Sequence, residues 1–170
     1  IIFRMKYCLQ KSQNFKILKN HFKFSTITSK NVESYNKDGY VHIPGYFSKS
    51  EIYSLKDEMS RIINNIKEED LNKNNTFRTD SPFFIDYMLE SGDKTRFFFE
   101  NDTFNQDGTL KYPVAECINK VGHGTHDENP VFRKFCYSEK IKNLFRALGY
   151  IKPMIVQSMY IFKSKRIGGE

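Results

Sequence analysis

Apolar side chains fall at Ile52, Leu55, Met59, Ile62 and Ile66, at spacings of 3, 4, 3 and 4. That is one face of an α-helix. Ser48-x-x-Glu51 stands directly before it and forms a capping box, which fixes where the helix opens. A second helix is predicted over Glu139–Leu148. Ile141, Leu144, Phe145 and Leu148 form its apolar face, Ser138 caps it and Gly149 stops it. Shorter helices are predicted over Val32–Lys37, ended by Gly39, and from Asn129-Pro130 through about Phe135. Pro113 suits the first turn of a further helix over Val114–Val121.

Strand patterns are fewer. Thr95–Glu100 carries three consecutive phenylalanines and reads as a strong strand. Tyr40–Ile43 reads as a short strand stopped by Pro44. In Val156–Glu170, Ile155, Gln157, Met159 and Ile161 alternate with Val156, Ser158, Tyr160 and Phe162, so both faces carry apolar groups before a Gly-Gly turn. This predicts an interior strand of a barrel or sandwich. Tyr87-Met88-Leu89 leads into a turn at Ser91-Gly92-Asp93, Asp107-Gly108 is a hairpin-type turn, and the polar stretch Glu68–Ser81 reads as a mobile loop. The class is α+β. A last strand needs neighbours for its backbone groups, and few other segments can supply them. The chain is therefore expected to be the front part of a larger protein.

Composition adjusts this picture in two places. Mean hydropathy is −0.61, and no run approaches the roughly 20 apolar residues of a membrane span. Cys8, Cys117 and Cys136 are an odd number with no C-x-x-C pair, which points to a reducing, intracellular compartment. The net charge of +7 is unevenly placed. Residues 1–32 hold seven basic residues and no acid, which leaves 20 basic against 20 acidic residues in 33–170. The body has no general electrostatic case for nucleic acid. The leader is Ser/Thr-rich towards its end and carries Phe15, Leu18 and Phe22 at helical spacing. This is the composition of an organellar transit peptide, a disordered terminus being the alternative. A mitochondrial or cytoplasmic location is expected.

Several residues invite chemistry. Gly122-His123-Gly124-Thr125-His126-Asp127 offers two imidazoles and a carboxylate, a donor set zinc would accept. The spacing is not that of H-E-x-x-H on a helix, and the plainer reading is a helix end with a His C-cap followed by Asp127 capping the next helix. Phe97, Phe98 and Phe99 read as core, and Lys94 and Arg96 beside them as solvated cations or an anion site. Lys120 sits in the otherwise apolar Cys117–Val121. A lysine there snorkels to water or serves as a point charge for a carboxylate or phosphate. No G-x-S-x-G, P-loop or G-x-G-x-x-G is present.

Five stretches taken together resemble one family. They are Tyr35-x-x-Asp38-Gly39-Tyr40-Val41-x-Ile43-Pro44-Gly45-Tyr46-Phe47 before a capped helix, SGDKTRFFFE (91–100), INKVGHGTH (118–126), NPVF (129–132), and VQSMYIF with the later GGE (156–162, 168–170). The chain resembles the phytanoyl-CoA dioxygenase family over about residues 33–170, and within it the domain-containing protein 1 branch. The resemblance implies an Fe(II)- and 2-oxoglutarate-dependent dioxygenase, with ascorbate as reductant, on a double-stranded β-helix of jelly-roll type. Residues 33–170 are then its N-terminal helical portion and first strands, with the barrel incomplete.

It further implies that Lys120 and Met159 contact 2-oxoglutarate, Lys120 through a carboxylate and Met159 by packing on the carbon chain. Iron in the family is held by His-x-Asp and a distal His. His21, His42, His123 and His126 match none of these positions, so the ligands are expected beyond Glu170. No metal-binding or catalytic residue is assigned within the chain, and alone it is expected to be inactive. The alternative is a truncated, non-catalytic binding or regulatory protein. The partner expected is a small molecule, an acyl-CoA or lipid-like compound being one candidate; the prime substrate is left open.

Overall fold

The computed structural model describes residues 27–77, 82–163 and Ile167. The leader up to Thr26 and the Gly-Gly-Glu at 168–170 lie outside them. Helices α1 (Ser29–Asp38) and α2 (Lys49–Asn64) open the chain. Thr28 and Asn31 form a capping box at the start of α1, and Gly39 closes it at φ 78°. Ser48 and Glu51 do the same for α2, as the sequence predicts. Helix α3 (Pro82–Leu89) leads to strand β1 (Thr95–Phe99). A single turn, α4 (Val114–Cys117), runs straight into β2 (Ile118–His123). Helices α5 (Thr125–Glu128), α6 (Pro130–Cys136) and α7 (Glu139–Ala147) then precede β3 (Ser158–Ile161).

The three strands make one antiparallel sheet in the order β1-β2-β3. Its first face buries Phe97, Phe99, Ile118 and Val121 against Leu55, Met59 and Ile63 of α2 and Phe132 of α6. Phe98 turns to the second face and meets Phe84 of α3, with ring centroids 5.9 Å apart. The phenylalanine run is thus core on both sides of β1. Asn129 accepts hydrogen bonds from the backbone N–H groups of Val131 and Phe132, opening α6 with Pro130 in its first turn. Ser138 opens α7, and Gly149 follows at φ 89°.

Five sequence expectations need correction. The helix predicted over Val114–Val121 stops at Cys117, and 118–123 is the central strand of the sheet. Pairing with β1 and β3 satisfies the backbone of this β-branched segment on both edges, and tertiary pairing overrides the local signal. Tyr40–Ile43 forms no strand because no neighbour pairs with it, and Tyr40 is 71% exposed. The last strand is limited to Ser158–Ile161 and, among the described residues, is paired on one side only; Val156 is 54% exposed. The polar stretch after α2 holds two 3-10 turns, Glu68–Asp70 and Lys73–Asn75, with Asn75 buried and Thr76 bridged to Phe99. Its residues 78–81 lie outside the described residues. Tyr87-Met88-Leu89 belongs to α3, which the sequence pattern does not announce.

Candidate functional site

The second face of the sheet carries the chemistry. β2 places Lys120 opposite Phe98 of β1 and Ile161 of β3. The residue is only 9% exposed. Its ammonium lies 4.3 Å from the centroid of the Phe77 ring and 5.1 Å from that of Phe98. Two ring faces attract the cation but give it no counter-charge. Among the described residues no carboxylate pairs with it. Burial pushes its pKa down. A desolvated ammonium with no carboxylate partner among the described residues is costly to keep, and that makes it an efficient receptor for an anion.

Met159 stands on β3 opposite Gly122. Lys120 and Gly122 are two residues apart, so strand alternation puts Met159 on the lysine's face as its diagonal neighbour, about 7–8 Å away. A Cβ at Gly122 would lie 3.0 Å from the Ser158 carbonyl oxygen and 3.1 Å from Met159 Cγ. The absent side chain is what lets Met159 lie across the strand. The two residues that the family resemblance singles out are thus brought together by the strand register.

Aromatic rings enclose the site. Phe77 and Phe84 are 5.2 Å apart and Tyr87 and Phe98 5.3 Å, both pairs edge to face. The Tyr87 hydroxyl donates to the Phe97 carbonyl at 3.2 Å, and burial raises the phenol to about 12. Arg96 stacks on the Tyr87 ring at 4.5 Å and donates to the Tyr87 carbonyl and to Glu90. Its charge is therefore already paired. Lys94 contributes backbone only, its carbonyl accepting from the N–H groups of His123 and Gly124 at 2.8 Å each.

The Gly-His-Gly-Thr-His-Asp segment is not a helix end. His123 closes β2, Asp127 lies inside α5, and Asn129 caps the following helix in its place. The backbone leaves the strand here because the carbonyl of Lys94, just before β1, captures two successive N–H groups. The two imidazoles are tied to different serines. His123 Nδ1 lies 2.6 Å from Ser91 Oγ, and His126 Nδ1 lies 2.9 Å from Ser158 Oγ. His126 also has Nε2 3.5 Å from Asp127. Among the described residues no three His, Cys, Asp or Glu side chains converge on a metal position. These residues do not fit an iron centre, and no step through iron is derived from them.

His123 belongs to the site. Its ring centroid is 5.4 Å from that of Phe98, and burial, then the nearby Lys120, lower its pKa. Sequence reasoning treats it as a helix cap. Strand alternation gives no signal for it, because His123 is three residues from Lys120; its contacts with Phe98 and Ser91 are what place it here.

A model of the family described as Phytanoyl-CoA dioxygenase (PhyH) matches residues 35–170. The chain belongs to the phytanoyl-CoA dioxygenase family. It is 40% identical over 139 residues to the Caenorhabditis elegans phytanoyl-CoA dioxygenase domain-containing protein 1 homolog, covering 81% of this chain and 48% of that protein. It is 38% identical over 149 residues to an Arabidopsis thaliana phytanoyl-CoA dioxygenase, covering 85% and 51%. It is 36% identical over 145 residues to the mouse phytanoyl-CoA dioxygenase domain-containing protein 1, covering 82% and 50%. The chain thus spans about half the length of the phytanoyl-CoA dioxygenase relatives it matches. No helix among the described residues is long and apolar enough to cross a membrane.

Proposed function

We propose that this chain is the N-terminal part of an Fe(II)- and 2-oxoglutarate-dependent dioxygenase, and that Lys120 binds a carboxylate of 2-oxoglutarate. The observation that carries the reading is the Lys120 ammonium, buried between two aromatic rings with no acidic partner among the described residues. Met159 packs on the cosubstrate's methylene chain from the adjacent strand, where a thioether adapts to an irregular surface. The aromatic wall of Phe77, Phe98 and Tyr87 keeps water from the pair and so strengthens it. When bound, 2-oxoglutarate supplies two electrons through oxidative decarboxylation to succinate and carbon dioxide. The three-stranded sheet is then the start of a jelly-roll barrel, and the iron ligands belong to the other half of the protein. The substrate that is oxidised is a small molecule, an acyl-CoA or lipid-like compound being one candidate.

The test is turnover of labelled 2-oxoglutarate by the complete protein with iron and ascorbate. Lys120→Ala is expected to raise the KM for 2-oxoglutarate strongly, and Met159→Ala less, since it removes packing and no charge. An unchanged KM in Lys120→Ala overturns the assignment. Binding of 2-oxoglutarate without turnover by the complete protein would favour a non-catalytic role.

A further inference from the structure

Strand β3 is pinned at its first residue. Ser158 is buried, and it follows a stretch without regular structure in which Ile151, Met154 and Val156 are each more than half exposed. The partners of the Ser158 hydroxyl among the described residues come from one short segment. The backbone N–H of His126 donates to it at 3.1 Å, His126 Nδ1 lies 2.9 Å away, and the His123 carbonyl oxygen lies 3.3 Å away. A hydroxyl has one hydrogen and two lone pairs, so both forms of the His126 ring keep the tie. A neutral ring with its hydrogen on Nε2 takes the Ser158 hydrogen at Nδ1. A charged ring donates from Nδ1, and the Ser158 hydrogen turns to the His123 carbonyl. On its other side the ring faces the Asp127 carboxylate at 3.5 Å, which Arg133 of α6 and the Tyr137 hydroxyl hold in turn.

We propose that His126 is a positioning residue for the cosubstrate site: by holding Ser158 it fixes where β3 starts and, with it, where Met159 lies. This rests on the reading that Met159 packs on 2-oxoglutarate. The linkage is one peptide long. Met159 follows Ser158 directly, and both press on Gly122, where an added Cβ would meet the Ser158 carbonyl oxygen at 3.0 Å and Met159 Cγ at 3.1 Å. Among the described residues β3 is paired on one side only, so β2 supplies its ladder and His126 the side-chain tie at its start. Released from His126, Ser158 frays from β2 and Met159 loses its place across Gly122. His126 acts through Ser158 and needs no contact with the ligand.

The experiment is a double-mutant cycle through Met159, read by calorimetric titration of 2-oxoglutarate into the full chain. His126→Phe keeps a ring and removes both ring nitrogens. It should weaken 2-oxoglutarate about 3- to 10-fold, the worth of one neutral hydrogen bond. His126→Asn places an amide where Nδ1 stands and should recover most of that loss. In the Met159→Ala background His126→Phe should cost nothing beyond about two-fold, because the side chain it positions is already gone. A merely structural role would weaken binding by the same factor in both backgrounds. Ser158→Ala runs the same cycle from the other partner and serves if His126→Phe does not fold. Full affinity in His126→Phe, no recovery in His126→Asn, or equal losses with and without Met159 overturns the proposal. If Met159→Ala binds 2-oxoglutarate as well as wild type does, it is the Met159 reading that fails, and this proposal fails with it.

Discussion

Lys120→Met should make the protein more stable. The side chains are similar in length, so the exchange removes the charge and keeps the packing. In the folded chain the ammonium is nearly buried, has no carboxylate among the described residues, and faces the Phe77 and Phe98 rings. The effective penalty for such an ion is several kcal/mol. Each ring returns about 0.5–2 kcal/mol. The difference leaves a gain of about 1–3 kcal/mol for Met, and each kcal/mol raises Tm by about 2–4 °C in a chain of this size.

The gain also has a pH signature. Burial lowers the folded pKa of Lys120, while the unfolded lysine keeps its ordinary value. Between the two, the unfolded state binds more protons, so wild-type stability rises with pH relative to Lys120→Met. The advantage of Met should be full below the folded pKa and gone above about 10.5, the unfolded value. Thermal unfolding of both proteins from pH 7 to pH 10 reads this directly. A variant less stable than wild type, or a gap that does not shrink with pH, would refute the idea that the ammonium is unpaired.

Other outcomes follow from the same structure. Gly124→Ala should destabilise severely and could prevent folding, because a Cβ there would lie 2.6 Å from the backbone carbon of Asp93; denaturant titration checks this. Leu55→Ala should cost about 2–5 kcal/mol by the same method, since Leu55 is almost completely buried between α2 and the sheet. Tyr87, raised to about 12, resists ionisation when folded and ionises near 10 when unfolded, so it contributes stability below pH 10 that is lost towards pH 12. Tyr87→Phe should therefore unfold less steeply than wild type over that alkaline window, and an identical profile would place the phenol in water.

What the sequence revealed divides along a physical line. The α2 helix was legible because its period and its Ser48–Glu51 cap are local, within one turn or one face. β2 was not, because its stabilisation comes from β1, about twenty residues before it, and from β3, about forty after it. The Pro113 start and the short apolar run favoured a helix until pairing decided otherwise. α3 was missed because its apolar residues lie on all sides. Phe84 is buried while Phe83, Ile85, Met88 and Leu89 are exposed, which leaves no clean period to read. Lys120 and Met159 could be named only through the family resemblance. Nothing in their spacing predicts that Gly122 sets them on one face. His123 was misread because its anchor, Ser91, is 32 positions away in the chain.

The central claim is that the Lys120 ammonium is an anion receptor shaped for a carboxylate of 2-oxoglutarate. Calorimetric titration of 2-oxoglutarate into the chain tests it most directly, with Lys120→Ala and Lys142→Ala alongside. Lys142 makes a surface pair with Glu139 at 2.8 Å and should matter little. Removing one partner of a desolvated charge pair costs about 2–5 kcal/mol, so Lys120→Ala should weaken binding about 30- to 4000-fold. An exposed pair is worth at most about 1 kcal/mol, which holds Lys142→Ala within about five-fold of wild type. If the two variants bind 2-oxoglutarate as well as wild type does, Lys120 is not the receptor.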